Sequence, residues 1–550
     1  MTMTFVQPAA ELANQYTCDR LLRSWLERAL PESVRAAIEP DLTELGEHAA
    51  QAWLEARARS PSEPRLTRWD AWGRRIDRIE ITPAWQQGRQ ISARHGLIAA
   101  GHSATHGEHA RSDQFARAYL YHVASEFYTC PLAMTDGAAT ALKASGNRVL
   151  IDRAVPHLTS RDVSTLWLSG QWMTEAIGGS DVGNSETIAR RDDDGRWRLT
   201  GRKWFTSAVI GEMALTLARP EGAGDGADAL ALFYVETHDD NGAWNGIRVE
   251  RLKDKLGTRE LPTAEIQLEG AIAEPVGALG HGVRLIAPML NVTRTWNAVG
   301  ALATMRRSIA LAGDYALRRH AFGRALIDQP LHAATLADMQ AEFQAAFHLV
   351  FFVTGLLGRS ETDAASADER VLLRLLTPLT KLWTGKLAVR IAAETCEAFG
   401  GAGYIENTGI PLLVRDAQVF PIWEGTTNVL ALDALRVLAS GGLDTALRAA
   451  SATFDEGGTE AARARSVLDS VRQWLDERAG DRAALEIGAR GVALTLARSF
   501  AALLLAHHAA WARREKRDAH ADAALRVFER HGLSRLETHD AAETALLARA

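Results

Sequence analysis

One carboxylate, Glu424, stands in the otherwise uncharged run PIWEGTTNVL (421–430), beside Gly425 and the hydroxyls of Thr426 and Thr427. An ionised glutamate is rarely fully buried without a partner. The acid therefore either points into water from a surface loop or is held there for a purpose. Four other stretches carry groups suited to gripping a ligand. In MTEAIGGSDV (173–182), Gly178 and Gly179 permit backbone geometry closed to other residues. Thr174, Ser180 and exposed N–H groups there suit a polar ring edge or a phosphate. GRKWFTSA (201–208) offers two adjacent aromatics and two hydroxyls at strand-like spacing, an aromatic wall for a flat molecule. In RRHAFGRALIDQP (318–330), Arg319 precedes Phe322-Gly323 at a helix end, where a guanidinium fork can hold a phosphate. EAFGGAGYIEN (397–407) ends a long helix with Gly400, Gly401 and Gly403. Singly, each stretch also reads as plain structure: a turn, a core strand, a solvated arginine, a glycine helix stop.

The elements that must carry these groups follow from periodicity. From about 20 to 168 apolar residues return every three or four positions, as in CDRLLRSWLERAL and SDQFARAYLYHVASEFY, and predict helices. Between about 170 and 280, short alternating segments such as RWRLTGRKWFTSAV, ALALFYVETH and AEIQLEGAIAEPVG, separated by Gly, Asp and Asn, predict strands. EGAGDGADA (221–229) reads as a solvent loop between two of them. Helical periodicity returns from about 282 and runs to the end. Helices, then sheet, then helices is an α+β layout, not a doubly wound nucleotide fold. At 550 residues the chain is long enough for several domains, and 47% hydrophobic with 24% charged residues is ordinary for a soluble protein. The net charge of -6 gives no case for a nucleic-acid partner over the whole molecule. Three scattered cysteines (Cys18, Cys130, Cys396) suggest neither a disulfide framework nor a metal site, and a reduced, cytoplasmic setting fits. The N-terminus has no secretion-signal pattern. FHLVFFVTGLLG (347–358) and FAALLLAHHAAWA (500–512) read as too short or too interrupted to span a bilayer.

Seven segments in order, MTEAIGGSDV, GRKWFTS, DKLGTRE, TRTWNAVGA, RRHAFGRALIDQ, EAFGGAGYI and RDAQVFPIWEGTTN, resemble the acyl-CoA dehydrogenase flavoprotein family over about 85 to 435. The N-terminal QPAAELAN and RWDAWGRRIDRIEITPAW, with a helical C-terminal extension, are similar to the AidB branch, associated with the bacterial response to alkylating agents. The resemblance implies an N-terminal helical domain (1–168), a central β domain (169–281), a second helical domain with cofactor and base residues (282–438) and a C-terminal helical extension (439–550). It implies FAD as cofactor and a homotetramer, with a dimer as runner-up.

Carried across residue by residue, Met173, Thr174, Gly179 and Ser180 lie along the flavin. Phe205, Thr206 and Ser207 supply its aromatic wall and a hydroxyl near the reactive nitrogen; the family commonly carries Trp-Ile-Thr there, so the register can differ by one residue. Arg319 holds the pyrophosphate of a neighbouring subunit's FAD, and Phe322, Gly400 and Gly401 line the same slot. Glu397 stands where many relatives place Gln. Thr426 and Asn428 are flavin contacts, and Glu424 is the catalytic base. A carboxylate in a dry pocket suits this chemistry, because desolvation raises its pKa towards working pH. Some relatives carry the base just before a conserved arginine; here Thr293 precedes Arg294 and cannot serve, so the resemblance implies that the base is Glu424 or there is none, with Arg294 as a catalytic-site residue. Trp296 and Trp423 either narrow the substrate channel or pack the core. The implied substrate is an acyl-CoA, the alternative a small non-CoA molecule on the same fold. The AidB likeness also implies DNA binding. Residues 431–550 carry 17 basic and 17 acidic residues, and the only dense basic cluster holds Arg513, Arg514 and Arg517, so weak, non-specific duplex binding is the expectation.

Overall fold

The computed structural model describes residues 7–58, 62–454, 461–517, 519–537 and 539–550. The alternating stretch forms a seven-stranded sheet. Its path runs Ser169–Trp172, Met213–Pro220, Ile188–Arg191, Trp197–Ser207, Thr263–Pro275 and Ala231–Glu236, with Ile247–Leu252 added on Thr263–Pro275. Met213–Pro220 also pairs antiparallel with Ala231–Glu236, so the sheet closes on itself. Trp172, Val209, Phe233, Val235, Val249, Ile266 and Leu268 fill its interior. EGAGDGADA is an exposed connection between Met213–Pro220 and Ala231–Glu236.

One irregularity bears on function. The pairing of Trp197–Ser207 with Thr263–Pro275 slips between Lys203 and Thr206. A bulge of this kind takes residues out of strict alternation. Lys203 and Thr206 are both buried, while Trp204 is half-buried and Phe205 is exposed between them.

By contacts the chain forms two compact units. One takes in the residues up to Ala58, Ala104–Ala124 and Asn297–Ala550; the other holds Arg59–Ser103 and Ser125–Trp296. Residues 1–168 contribute to both. They are also not all helical: Arg65–Trp69 and Arg75–Glu80 form an antiparallel hairpin, against the helical expectation for this stretch. The reason is tertiary. Val249 N donates to the Asp77 carboxylate at 2.9 Å and Arg75 donates to the Val249 carbonyl at 2.7 Å, while Leu66 and Ile79 pack on the sheet core. Such docking overrides a weak local pattern.

The helical unit is built on three long helices. Gly282–Arg318 brings its residues from Asn297 onward; Pro330–Glu361 starts with proline at its first turn, and Ala367–Ala398 with a reciprocal Ser366–Glu369 capping box. Helix Arg482–Arg514, in the C-terminal extension, docks on Pro330–Glu361 through a buried pair. Arg498 donates twice to Glu342, at 2.8 and 3.0 Å, and its guanidinium lies 4.4 Å from the Phe528 ring centre. The apolar stretches judged too short for a bilayer sit in Pro330–Glu361 and Arg482–Arg514. Both helices are long and apolar enough to cross one, contrary to that expectation, but their apolar windows are mostly buried within the fold.

Candidate active site

The β unit presents the first cluster. Glu175 and Gly178 pair backbone to backbone in both directions, closing a tight loop. Glu175 is buried and accepts from Lys203 at 2.7 Å, Thr187 at 2.6 Å and the Glu186 N–H at 2.6 Å. Burial alone would raise its pKa, but the Lys203 ammonium together with the Ser185 and Thr187 hydroxyls outweighs this and holds the carboxylate below its ordinary range. Anchored there, the loop leaves Met173 and Thr174 half-buried and Gly179 and Ser180 exposed. A Cβ on Gly179 would sit 2.9 Å from the Thr174 hydroxyl, so any side chain there would force Thr174 to shift. The Trp204 N–H donates to the Thr174 carbonyl at 2.9 Å, which joins this loop to the bulged strand. Phe205 (46% exposed) and half-buried Ser207 are thereby presented beside it. Thr206 departs from expectation. It is fully buried, its hydroxyl donates to the Ala264 carbonyl at 2.6 Å, and the bulge turns it into the sheet.

The second cluster lies in the helical unit. Arg318 is tied to Asp314 and Glu11 at 2.8 and 2.7 Å, whereas Arg319 has no acidic partner among the described residues. His320–Ala321 and Arg324–Ala325 form a hairpin around Phe322 and Gly323, both left-handed (φ 50° and 81°). Two left-handed central residues make a tight hairpin turn, and phenylalanine is a costly choice for it. Here the ring is 97% exposed. Gly400 and Gly401 are exposed too, and a Cβ at either would meet nothing within 4 Å. Tyr315 and Phe399, one at the foot of each segment, stack with ring centres 4.2 Å apart at 17°. Arg319, Phe322, Gly400 and Gly401 are therefore held on one piece of scaffold. Open glycines, an uncommitted guanidinium and a bare aromatic ring suit a large anionic ligand such as FAD. Glu397 is exposed on the same helix end.

The third cluster is the Glu424 loop. Glu424 is half-buried and left-handed (φ 57°), as is Gly425 (φ 103°). Lys381, fully buried, donates to the Gly425 carbonyl at 2.5 Å. Thr426 caps helix Thr427–Ala439 without a side-chain cap bond, and Thr426 and Asn428 are exposed at its start. Arg294 is half-buried between buried Thr293 and Thr295. The position of Trp296 is clear. It is 4% exposed, and its indole N–H donates at 2.7 Å to the fully buried Asp136 carboxylate, so it belongs to the packed interior.

The C-terminal arginines are otherwise engaged. Arg513 pairs with Asp522, Arg517 with Glu27, and Arg514 lies 3.5 Å from Glu515. Arg472 and Arg478 also face acids, and Arg498 is buried on Glu342.

Sequence reasoning missed Lys381 and Lys253. Lys253 lies 3.3 Å from the Trp204 ring centre and 4.7 Å from that of Phe205, and pairs with buried Glu265 at 2.7 Å. Burial raises the pKa of Glu265, but Arg251, Lys253 and Arg202 more than offset it and bring it down to about 2. The available signal for Lys381 was a lone lysine inside the apolar run LLTPLTKLW.

Known proteins align with this architecture. Residues 170–271 match the model of the acyl-CoA dehydrogenase middle domain, 280–439 that of the acyl-CoA dehydrogenase C-terminal domain, and 6–163 that of the adaptive response protein AidB N-terminal domain. The chain is 42% identical over 531 residues to acyl-CoA dehydrogenase family member 11 of Caenorhabditis elegans, covering 92% of this chain and 86% of that protein. It is 37% identical over 394 residues to the putative acyl-CoA dehydrogenase AidB of Escherichia coli K12, covering 70% of each. The crystal structure of Caenorhabditis elegans ACDH-11 in complex with C11-CoA superposes with a TM-score of 0.93 at 38% identity, over 100% of this chain and 96% of that one. The chain belongs to the acyl-CoA dehydrogenase family, FAD-dependent oxidoreductases, and carries the AidB-type N-terminal domain.

Proposed function

We propose that this protein dehydrogenates an acyl-CoA thioester at its α and β carbons, with Glu424 as the base and FAD shared between subunits of a homotetramer. The observation that carries the assignment of the base is the backbone at Glu424. A left-handed non-glycine residue costs on the order of 1–3 kcal/mol, and such strain persists where the surroundings impose it. Here Lys381 holds the carbonyl of the following residue, Gly425.

In the proposed reaction a Glu424 carboxylate oxygen takes the α proton, and the β hydrogen leaves as hydride, so that a C=C bond forms between the two carbons. Bound FAD supplies the hydride acceptor. The Thr174–Ser180 loop and the Phe205–Ser207 edge orient the flat cofactor; Arg319 and the Gly400–Gly401 turn serve a neighbouring subunit's pyrophosphate. The 97% exposed Phe322 and 87% exposed Tyr404 support an assembly in which a second copy covers this slot. The C11-CoA bound by the Caenorhabditis elegans protein makes an undecanoyl thioester the first substrate to try.

No DNA role is added to this proposal. Arg513, Arg514 and Arg517 each face a carboxylate already, and a phosphate would have to displace it. The direct test is anaerobic mixing of the FAD-loaded protein with undecanoyl-CoA while the flavin absorbance is followed. Bleaching supports dehydrogenation. An unchanged spectrum at saturating thioester counts against an acyl-CoA substrate and leaves a small non-CoA molecule as the alternative.

A further inference from the structure

The loop that bears Glu424 is gripped at both ends by buried polar groups. At its start, the Asn297 side-chain amide donates to the Phe420 carbonyl at 3.3 Å, and Asn297 is 4% exposed. Helix Ala367–Ala398 presses against the same point. A Cβ on Gly385 would lie 3.0 Å from the Phe420 carbonyl and 3.1 Å from Pro421 N, so a side chain there would push the loop back by a few tenths of an ångström. One helical turn earlier, Lys381 reaches the far end of the loop and donates to the Gly425 carbonyl at 2.5 Å.

Lysine is almost never fully buried, and moving an ammonium out of water is costly. An apolar side chain of similar length would fill the space at lower cost. Lys381 is 0% exposed among buried Leu379, Thr380 and Leu382. Its bond goes to the carbonyl of the second of two successive left-handed residues, Glu424 and Gly425. The peptide that follows Gly425 thus cannot rotate without breaking this bond, which restrains the backbone immediately after Glu424 and with it the direction of the Glu424 side chain.

We infer that Lys381 is a positioning residue for the Glu424 carboxylate, fixing its direction through the Gly425 carbonyl. The inference rests on the reading of Glu424 as the base. Proton abstraction is steep in distance, and a misplacement of about 1 Å costs roughly 10²-fold in rate.

The test uses FAD-loaded protein, undecanoyl-CoA and anaerobic single-turnover flavin reduction in Lys381→Met, Glu424→Gln and the double variant. Lys381→Met should slow reduction about 10- to 100-fold while the thioester affinity, read from flavin spectral titration, stays within about threefold. In the double variant the second change should add nothing to Glu424→Gln, because both act through one group. Amide hydrogen exchange at Glu424–Thr427 should quicken in Lys381→Met. A wild-type rate in Lys381→Met, or slowing that multiplies with that of Glu424→Gln, overturns the positioning role alone. A wild-type rate in Glu424→Gln overturns the base assignment and this inference with it. Asn297→Ala removes the other tether and covers the case in which Lys381→Met does not fold. It should slow reduction about fivefold and likewise add nothing to Glu424→Gln; multiplicative slowing there also overturns the inference.

Discussion

The rings of Tyr315 and Phe399 stack at 4.2 Å and 17°, pinning the end of helix Gly282–Arg318 to the end of helix Ala367–Ala398. Everything exposed beyond those ends, Arg319 and Phe322 on one side and Gly400 and Gly401 on the other, is oriented by that contact. If these residues hold a neighbour's FAD, cofactor affinity and assembly are linked by mass action. Arg319→Ala should weaken FAD retention on gel filtration and shift light scattering from tetramer towards smaller species, both reversed by excess FAD. Tyr315→Ala should do the same without removing any ligand-binding group, at a stability cost of about 3 kcal/mol. An Arg319→Ala tetramer with unchanged FAD content contradicts the shared site.

The Glu175–Lys203 pair is 3% and 0% exposed by side chain, so breaking it strands a charge. Lys203→Met should destabilise by about 3–5 kcal/mol and disorder the Thr174–Ser180 loop. The carboxylate's folded pKa lies below its unfolded value of about 4.3. Its stabilising contribution is therefore complete above that value and is lost as pH falls through the folded pKa. Urea melts at pH 7 and pH 4 read both effects; equal stability of variant and wild type at pH 7 refutes the assignment.

Two buried histidines set an earlier acid limit. Burial pushes the His122 imidazole down to about 3, and burial with His508 nearby pushes His348 well below its usual value. Each unfolded imidazole binds a proton near pH 6.5 that the folded one refuses. Stability should thus decline as pH falls below about 6.5. Neither ring nitrogen of His348 has a hydrogen-bond partner among the described residues. His348→Leu should accordingly be neutral or stabilising at pH 7 and flatten the decline between about pH 6.5 and 4.5. Loss of about 2 kcal/mol at pH 7 would mean the imidazole has a bonded role.

Because Arg513, Arg514 and Arg517 already face carboxylates, any retention of duplex DNA should be weak and without sequence preference, with Kd of about 1 μM or poorer at physiological salt. Any such binding should fall with a log–log salt slope of roughly −3 to −4, as for about four phosphate contacts. Charge reversal at Arg513, Arg514 and Arg517 together should abolish it and leave flavin content unchanged. Tight retention in that triple variant, by gel shift across a salt series, places the contact elsewhere.

How much was legible in the sequence differs by element. The β-rich stretch was legible from several alternating segments between about 170 and 280, and the long helices from their period, because these signals are local. The Arg65–Glu80 hairpin did not, since its stability comes from Val249, more than a hundred residues away. The motif residues were readable as types, yet Thr206 faces the core because a bulge between Lys203 and Thr206 resets the alternation, and a register slip leaves no mark in a single sequence. Lys381 was visible only as an anomaly. A lysine among leucines states that something polar waits nearby, and only the fold tells that it is the Gly425 carbonyl.

The most direct test of the central claim is the rate of anaerobic flavin reduction by undecanoyl-CoA in the wild type and in Glu424→Gln, a change that keeps shape and removes basicity. The account predicts bleaching in the wild type, and in the variant a fall of about two or more powers of ten with FAD still bound. Equal rates in the two proteins would contradict it.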